Sequence, residues 1–416
     1  MTEQAKVPSI RFAGFTDPWE QRKLGDCFEF LKSNTLSRAG LNGENGTARN
    51  VHYGDILIKF GDCLDDERSD LPFITDDTVL PKYAGSILRE GDVIFADTAE
   101  DETAGKCVEL RKLPKEPTIS GLHTIPARPR FPFGTGYLGH YLNSDAYHRQ
   151  LLPLMQGIKV ISVSKAALQD TQVRFPGLSE QSAIGAALNE IDSLITLHQR
   201  KYDKLVVFKK SMLEKMFPKD GESVPEIRFA GFTDPWEQRK ASEVFQIVDD
   251  RGHPTLPVLS ATQNQGMIYR DDSGRYIGHD ESNEIGYKRV LPGDFVVHLR
   301  SFQGGFAHSQ YEGITSPAYT VFRAKEPTSH SDRFWKHWFM SEHFIAGLST
   351  VTYGIRDGRS ISVDEFMNTF LAFPAVEEQA AISRLLDYLD SLITLHQRKL
   401  ELLQNIKKSL LDKMFV

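Results

Sequence analysis

The stretch DCLDDERSD, residues 62–70, gathers carboxylates as a metal-dependent nuclease would. No matching cluster stands in the second half of the chain, so a solvated loop is the expectation. Three cysteines, Cys27, Cys63 and Cys107, lie far apart with no C-x-x-C pair. That spacing fits ordinary reduced thiols, not a zinc site or a disulfide framework. His198 and His396 fall on helical seams and are expected to pack or pair there and fix register, without a metal or catalytic role. No nucleotide loop G-x-x-x-x-G-K-[ST], no G-x-S-x-G, no H-E-x-x-H and no paired-proline motif of the amino-methyltransferases occurs. Gly43, Gly46 and Gly304-Gly305 are too sparse to cradle phosphate and are expected in turns. A duplicated enzyme should carry its active site twice, and no such pair is present. The chain is expected to be non-catalytic, with no metal site.

The elements that do recur are scaffolding. IRFAGFTDPWEQRK occupies Ile10–Lys23 and again Ile227–Lys240, identical at an offset of 217. DSLITLHQRK occupies Asp192–Lys201 and again Asp390–Lys399, at an offset of 198. Around it, FPGLSEQSAI answers FPAVEEQAAI, and KKSMLEKMF answers KKSLLDKMF. Each half therefore runs in one order: opening tag, variable body, closing segment. The offsets differ because the bodies differ in length. The boundaries expected are a first body over 1–174, a first long helix over 175–217, a linker over 218–226, a second body over 227–372 and a second long helix over 373–416.

The closing segments carry a coiled-coil seam with steps of four and three. In the first it reads Ile184, Leu188, Ile191, Ile195, His198, Tyr202, Leu205, Lys209, Met212 and Met216. In the second it reads Ile382, Leu386, Leu389, Ile393, His396, Leu400, Leu403, Lys407, Leu410 and Met414. Ala187, Leu194 and Phe208, with Leu385, Leu392 and Ile406, widen the stripe. Lys209 and Lys407 are expected to snorkel. About 40 residues at 1.5 Å each make a rod of about 60 Å. One such helix cannot bury its stripe alone. The fold class expected is α+β: two mixed α/β bodies separated by two long helices in an antiparallel coiled coil, pseudo-twofold symmetric. NVHYGDILIKFGD and LREGDVIFADTA, with VLPGDFVVHLRSF in the second body, read as strand, Gly-Asp turn, strand. Gly91-Asp92 matches Gly293-Asp294, and residues 118–125 match 314–321. Trp19 and Trp236 are expected to seal tag against helix.

The 416 residues exceed one ordinary core, and 40% hydrophobic with 25% charged composition is that of a globular chain. No apolar run reaches the ~18 residues of a membrane span. The opening MTEQAKVPSI lacks signal-peptide features, so cytoplasm is the expected compartment. Net charge is −7, which does not suit a protein that simply coats nucleic acid. The charge is uneven: residues 54–104 hold 14 acidic against 4 basic side chains, and residues 105–177 hold 10 basic against 4 acidic. A local phosphate-binding face on an acidic chain is compatible with this, as are two surfaces that neutralise each other. Surface polar residues of the closing segments recur identically while the bodies have diverged, which suggests two copies of one partner and two different targets. Gln199, Arg200, Lys201, Gln397, Arg398 and Lys399 are the candidate partner contacts.

These motifs resemble the specificity subunit of a type I restriction-modification system. The resemblance rests on IRFAGFTDPWEQRKLGD, TLSRAGLNGENGTARNVHYGDILIK, FPAVEEQAAI and LDSLITLHQRKLELLQNIKKSLLDKMF, and it covers essentially the full chain. It implies two target-recognition domains, each reading one half of a bipartite, asymmetric site on double-stranded DNA. It implies helices that act as ruler and dock two modification (methylase) subunits. It implies no cofactor on this chain: S-adenosylmethionine belongs to the methylase, which acts on adenine N6, and ATP and Mg to a restriction (motor-nuclease) subunit. Side chains suited to phosphates and base edges are the DNA-binding candidates. In the first body these are Ser37, Arg38, Asn42, Arg49, Lys106, Arg128 and Arg130, then Tyr137 and His140. In the second they are Arg300, Ser301, Gln303, Tyr353, Arg356, Asp357 and Arg359. The rival expectations are a two-headed scaffold for a non-DNA ligand, and a stand-alone nuclease.

Overall fold

A computed structural model describes residues 7–65, 71–219, 221–262, 265–273, 281–297, 306–348, 352–353, 360–361 and 363–416. The chain divides into two compact units, Met1–His198 with Arg398–Val416, and Gln199–Gln397. Both boundaries cut through the middle of a long helix. Those helices run Leu178–Lys215 and Val376–Met414. Each unit thus owns the first half of one and the second half of the other.

Every predicted seam position is buried or half-buried, as the four-three spacing requires. The widened stripe stops short at two equivalent places, since Phe208 and Ile406 are exposed. In the first unit Ile184 shares a core with Met414 and Phe415, while Asp192 meets Lys407. In the second, Ile382 shares a core with Met216 and Phe217, while Asp390 meets Lys209. Rising numbers on one helix meet falling numbers on the other, so within each unit the halves pack antiparallel.

Each body carries its own sheet, with four strands in the same order and a fifth in the first. In the first unit its strands lie in the order Phe28–Phe30, Thr124–Pro129, Val93–Ala96, Cys107–Leu110, Cys63–Leu64. In the second the order is Phe245–Val248, Thr320–Ala324, Phe295–Val297, Phe306–His308. The matched glycines enter the turn at φ +86° and +92°, a region open to glycine. The aspartate after each caps its own turn: Asp92 accepts from the Arg89 amide and Asp294 from the Leu291 amide. Each also receives a two-pronged guanidinium from the neighbouring strand, Arg128 at 2.9 and 2.7 Å and Arg323 at 2.8 and 2.7 Å. Register puts Ile125 opposite Phe95 and Thr320 opposite Val297. The match expected between 118–125 and 314–321 is therefore shifted by one residue on this strand.

The opening tag owes its two copies to the helix ends it ties. Its strand, Glu20–Lys23 or Glu237–Lys240, pairs antiparallel with Gln172–Phe175 or Phe370–Phe373, just ahead of a long helix. Arg11 forks onto Glu180 and Arg228 onto Glu378, in the first turn of each helix. Glutamate there also suits the helix dipole. The amides of Ile10 and Ile227 donate to the carbonyls of Lys413 and Lys215, at the far end of the other helix. Trp19 packs on Tyr137 and Phe415, and Trp236 on Phe334 and Phe217, the sealing role expected of them.

One stretch departs from expectation. In NVHYGDILIKFGD, residues Tyr53–Ile58 are helical, not strand. The His52 imidazole caps the start by accepting from the Gly54 amide. The Lys106 ammonium caps the end, donating to the carbonyls of Leu57 and Phe60 at 3.1 and 2.9 Å. The alternation of Asp-Ile-Leu-Ile imitates a strand, but Ile56 is fully buried and Ile58 is 86% exposed.

The seam lysines do not snorkel. Lys407 Nζ lies 2.6 Å from Asp62 and 2.7 Å from Asp192, and Lys209 bonds Asp390. A buried histidine completes each group: His140 bonds Asp62 and Asn189, and His337 bonds Asp387. Asp62 opens the acidic stretch 62–70, so this member is a half-buried, ion-paired structural carboxylate, not part of a solvated loop. The carboxylates of each group lie close enough to hold a metal ion, yet a lysine ammonium already meets them. Burial raises the Asp62 pKa, but the bond from His140 and the charge of Lys407 outweigh it and hold the group well below the usual carboxylate range. Asp387 is depressed likewise, by His337 and Lys336 against burial.

Removing the cation should be costly. Lys407→Met leaves Asp62 and Asp192 facing each other in a half-buried seam, and should lower the unfolding free energy by about 3 kcal/mol, the low end for a buried pair, read from the denaturant midpoint. The depressed carboxylates contribute stability that is fully present above their unfolded pKa of about 3.9 and is lost as pH falls toward their folded values. Wild-type stability should therefore decline from about pH 5 downward, and Asp62→Asn should flatten that decline in acid titrations followed by circular dichroism.

Candidate nucleic-acid interface

The first-body candidates separate by what holds them. Ser37 is exposed and precedes a single 3-10 turn, Arg38–Gly40. Arg38 is 53% exposed, and its guanidinium grips both oxygens of the buried Asp55 at 2.7 and 2.8 Å. Burial pushes the Asp55 carboxyl up, and Arg38 and Lys59 more than reverse it. This leaves two cations on one buried carboxylate, with surface to spare for a phosphate. Asn42 closes its own loop, its Oδ1 accepting from the amides of Glu44 and Asn45 at 3.0 Å each.

Other candidates serve the scaffold. Arg49 is half-buried, donating to the Leu71 carbonyl and Glu116 with its guanidinium 4.0 Å over the Phe73 ring. Lys106 caps the helix Tyr53–Ile58. Arg128 is spent on Asp92. Tyr137 and His140 are fully buried, and the Tyr137 hydroxyl donates to the Arg174 carbonyl. These two drop out as DNA contacts, because neither reaches solvent. Arg130 is exposed, with its Nε on the Phe28 carbonyl. Arg128 and Arg130 line a cavity of about 520 Å³ together with Arg89 and Arg111, which sequence reasoning missed. A cavity of about 480 Å³ sits at the same turn of the second unit, lined by Asp294, Arg323, His308 and His330. Burial pushes the His330 pKa down to about 4, so this imidazole is neutral there.

In the second body Arg300, Ser301, Gln303, Arg356, Asp357 and Arg359 lie outside the described residues. Tyr353 belongs to the short strand Thr352–Tyr353, paired with Ser360–Ile361. On the helices, Gln199, Arg200, Lys201, Gln397, Arg398 and Lys399 are all exposed, and Gln199 donates to Asp203. Equivalent apolar residues are bare beside them: Leu197 and Leu395 are each 45% exposed, Phe208 47% and Ile406 41%.

One sheet order in two bodies, joined by two helices that each run from one unit into the other, is a distinctive layout. It matches the crystal structure of a type I restriction-modification system S subunit from M. genitalium with a TM-score of 0.58, covering 99% of both chains at 11% identity. This chain has the S-subunit fold. In sequence it is similar to specificity subunits of type I restriction enzymes from Methanocaldococcus jannaschii. The one named MjaX is 20% identical over 95% of this chain and 92% of its own. The one named MjaVIII is 24% identical over 62% of this chain and 64% of its own. No family model matches the chain. Among the described residues no helix is long and apolar enough to cross a membrane.

Because Asp92 and Asp294 are almost wholly buried, their arginines matter for folding. Arg128→Ala and Arg323→Ala should each cost about 3 kcal/mol or more by stranding a carboxylate. Arg38→Ala, whose guanidinium is half in water, should cost less, about 1 kcal/mol, in the same chemical melts.

Proposed function

We propose that this chain is the sequence-specific DNA-binding subunit of a type I restriction-modification complex, non-catalytic by itself. Each body reads one half of a bipartite, asymmetric site. The helices set the spacing and dock two modification subunits, which carry S-adenosylmethionine and methylate adenine N6. Restriction subunits, with ATP and Mg, join for cleavage in the cytoplasm. The observation that carries this reading is the contrast between the two units. Their four-strand sheet order, Asp–Arg turns, tags and the Lys–Asp pairs of the helices correspond, while the loops between have diverged. A scaffold kept twice with its loops changed twice suits one machine reading two words.

The repeated helix surface supports two copies of one partner. Leu197 with Arg200 and Lys201 is answered by Leu395 with Arg398 and Lys399, at matched exposure. Apolar residues flanked by cations are what a docking surface offers a partner helix. Arg200→Glu with Arg398→Glu should reduce co-purification of a co-expressed methylase subunit while leaving this chain's melting temperature within a degree or two. A partner retained at full stoichiometry would remove these residues from the interface.

The overall reading is tested by sequencing adenine methylation genome-wide in source cells with and without the gene. A split N6-methyladenine motif that vanishes on deletion supports it. In cells shown to express the methylase subunit, an unchanged motif set would instead favour a two-headed scaffold for some other ligand.

A further inference from the structure

We propose that His123 and Thr98, backed by Tyr53 and Asp97, are specificity-determining residues that contact base edges in the half-site read by the first unit. The proposal rests on the DNA reading above and deepens it. His123 is the one residue other than glycine with positive φ among the described residues, at +53°. A left-handed histidine costs backbone energy, and such strain persists where the surroundings hold a side chain in one place. The surroundings here do so. The His123 carbonyl accepts from the Asp97 amide at 3.0 Å, and its Nδ1 lies 3.4 Å from the Asp97 carboxylate and 3.5 Å from the Thr98 hydroxyl. The Tyr53 ring meets the imidazole edge-on, centroids 5.3 Å apart, and packs against His52 at 4.7 Å. Yet the His123 side chain remains 47% exposed. A fixed, half-exposed imidazole beside a hydroxyl presents donors and acceptors of the kind that read base edges. Arg38 belongs to the same neighbourhood, since it forks onto Asp55, two residues from Tyr53 on the same short helix. It supplies a cation for the flanking phosphate.

Position in the fold argues for the same role. Thr124 and Ala96 form the last pair of their strands, so His123, Asp97 and Thr98 sit just beyond one end of the sheet. In the second unit the described pairing stops one step earlier, at Thr320 and Val297, where the described residues end. Counting six residues from the turn aspartate reaches Thr98 in one unit and Arg300 in the other. Arg300 lies outside the described residues, but the two sequences differ here, where readers of different words must differ.

The test is methylation mapping in cells expressing the full chain, wild type or variant, with its methylase subunit. His123→Gly removes the imidazole while suiting the left-handed backbone, so folding is preserved. Thr98→Val removes the hydroxyl. Each should leave the motif's gap and one half-site intact and relax one or two bases of the other half. Discrimination at those bases should fall by about 5- to 150-fold, the range of a single good base contact. Both variants should relax the same half. An unchanged motif in both variants, relaxation in both halves, or loss of all methylation by complexes that melt like wild type would overturn the assignment. A wild-type complex that writes no split motif would sink the DNA reading itself, a distinguishable failure.

Discussion

A lysine ammonium held between carboxylates in the helix seam is the contact on which the rest of this structure depends. Apolar seams slide; a buried charge pair has one register at which every partner is satisfied. Here the pair occurs in both units, Lys407 with Asp192 and Lys209 with Asp390. The second carboxylate is supplied differently on the two sides. In the second unit it is Asp387, on the helix itself. The repeat places Asn189 at that position in the first unit, and Asp62 arrives from the body to replace the missing charge. The body of the first unit is thus bound electrostatically to its helices, not merely packed on them.

From that contact the order extends outward. With register set, the start of one helix and the end of the other lie together in each unit, where the tag ties them through Arg11–Glu180 and Arg228–Glu378. The strand that follows the tag hands the chain to the sheet, whose Gly-Asp turn and facing arginine repeat in both units. Asp97, Thr98 and His123 gather at the other end of these strands, away from the Gly-Asp turn and its arginine.

Much of this was legible in the residues. Periodicity gave the helices and their seam, and internal identity gave the division into halves, because both are local or repeated signals. What failed was non-local. The pattern of Asp55–Ile58 cannot reveal that Lys106, far along the chain, caps a helix there. Lys209 and Lys407 read as snorkelling because their carboxylates lie on the other helix and, for Asp62, in the body. Among the DNA candidates, residue type selected Arg128 and Arg38 alike. Only the partners separate them: Arg128 is shielded against Asp92, whereas Arg38 covers Asp55 with half its surface in water. His123 was invisible because its distinguishing feature is a backbone angle.

The same distinction bears on why the tag and helix segments stayed nearly identical while the bodies diverged. Identity in the closing segments has two separable sources. Asp192 and Lys209, with Asp390 and Lys407, are constrained from within, by the seam lock. Arg200, Lys201, Arg398 and Lys399 are exposed in both units, and Leu197 and Leu395 stay bare at equal exposure. A merely recent duplication would have left the bodies alike as well. Internal packing accounts for the first group and leaves the second without a cause in this chain. A constraint that acts equally on two surface patches, and not on the loops beside them, is what the proposed docking of two copies of one partner would impose.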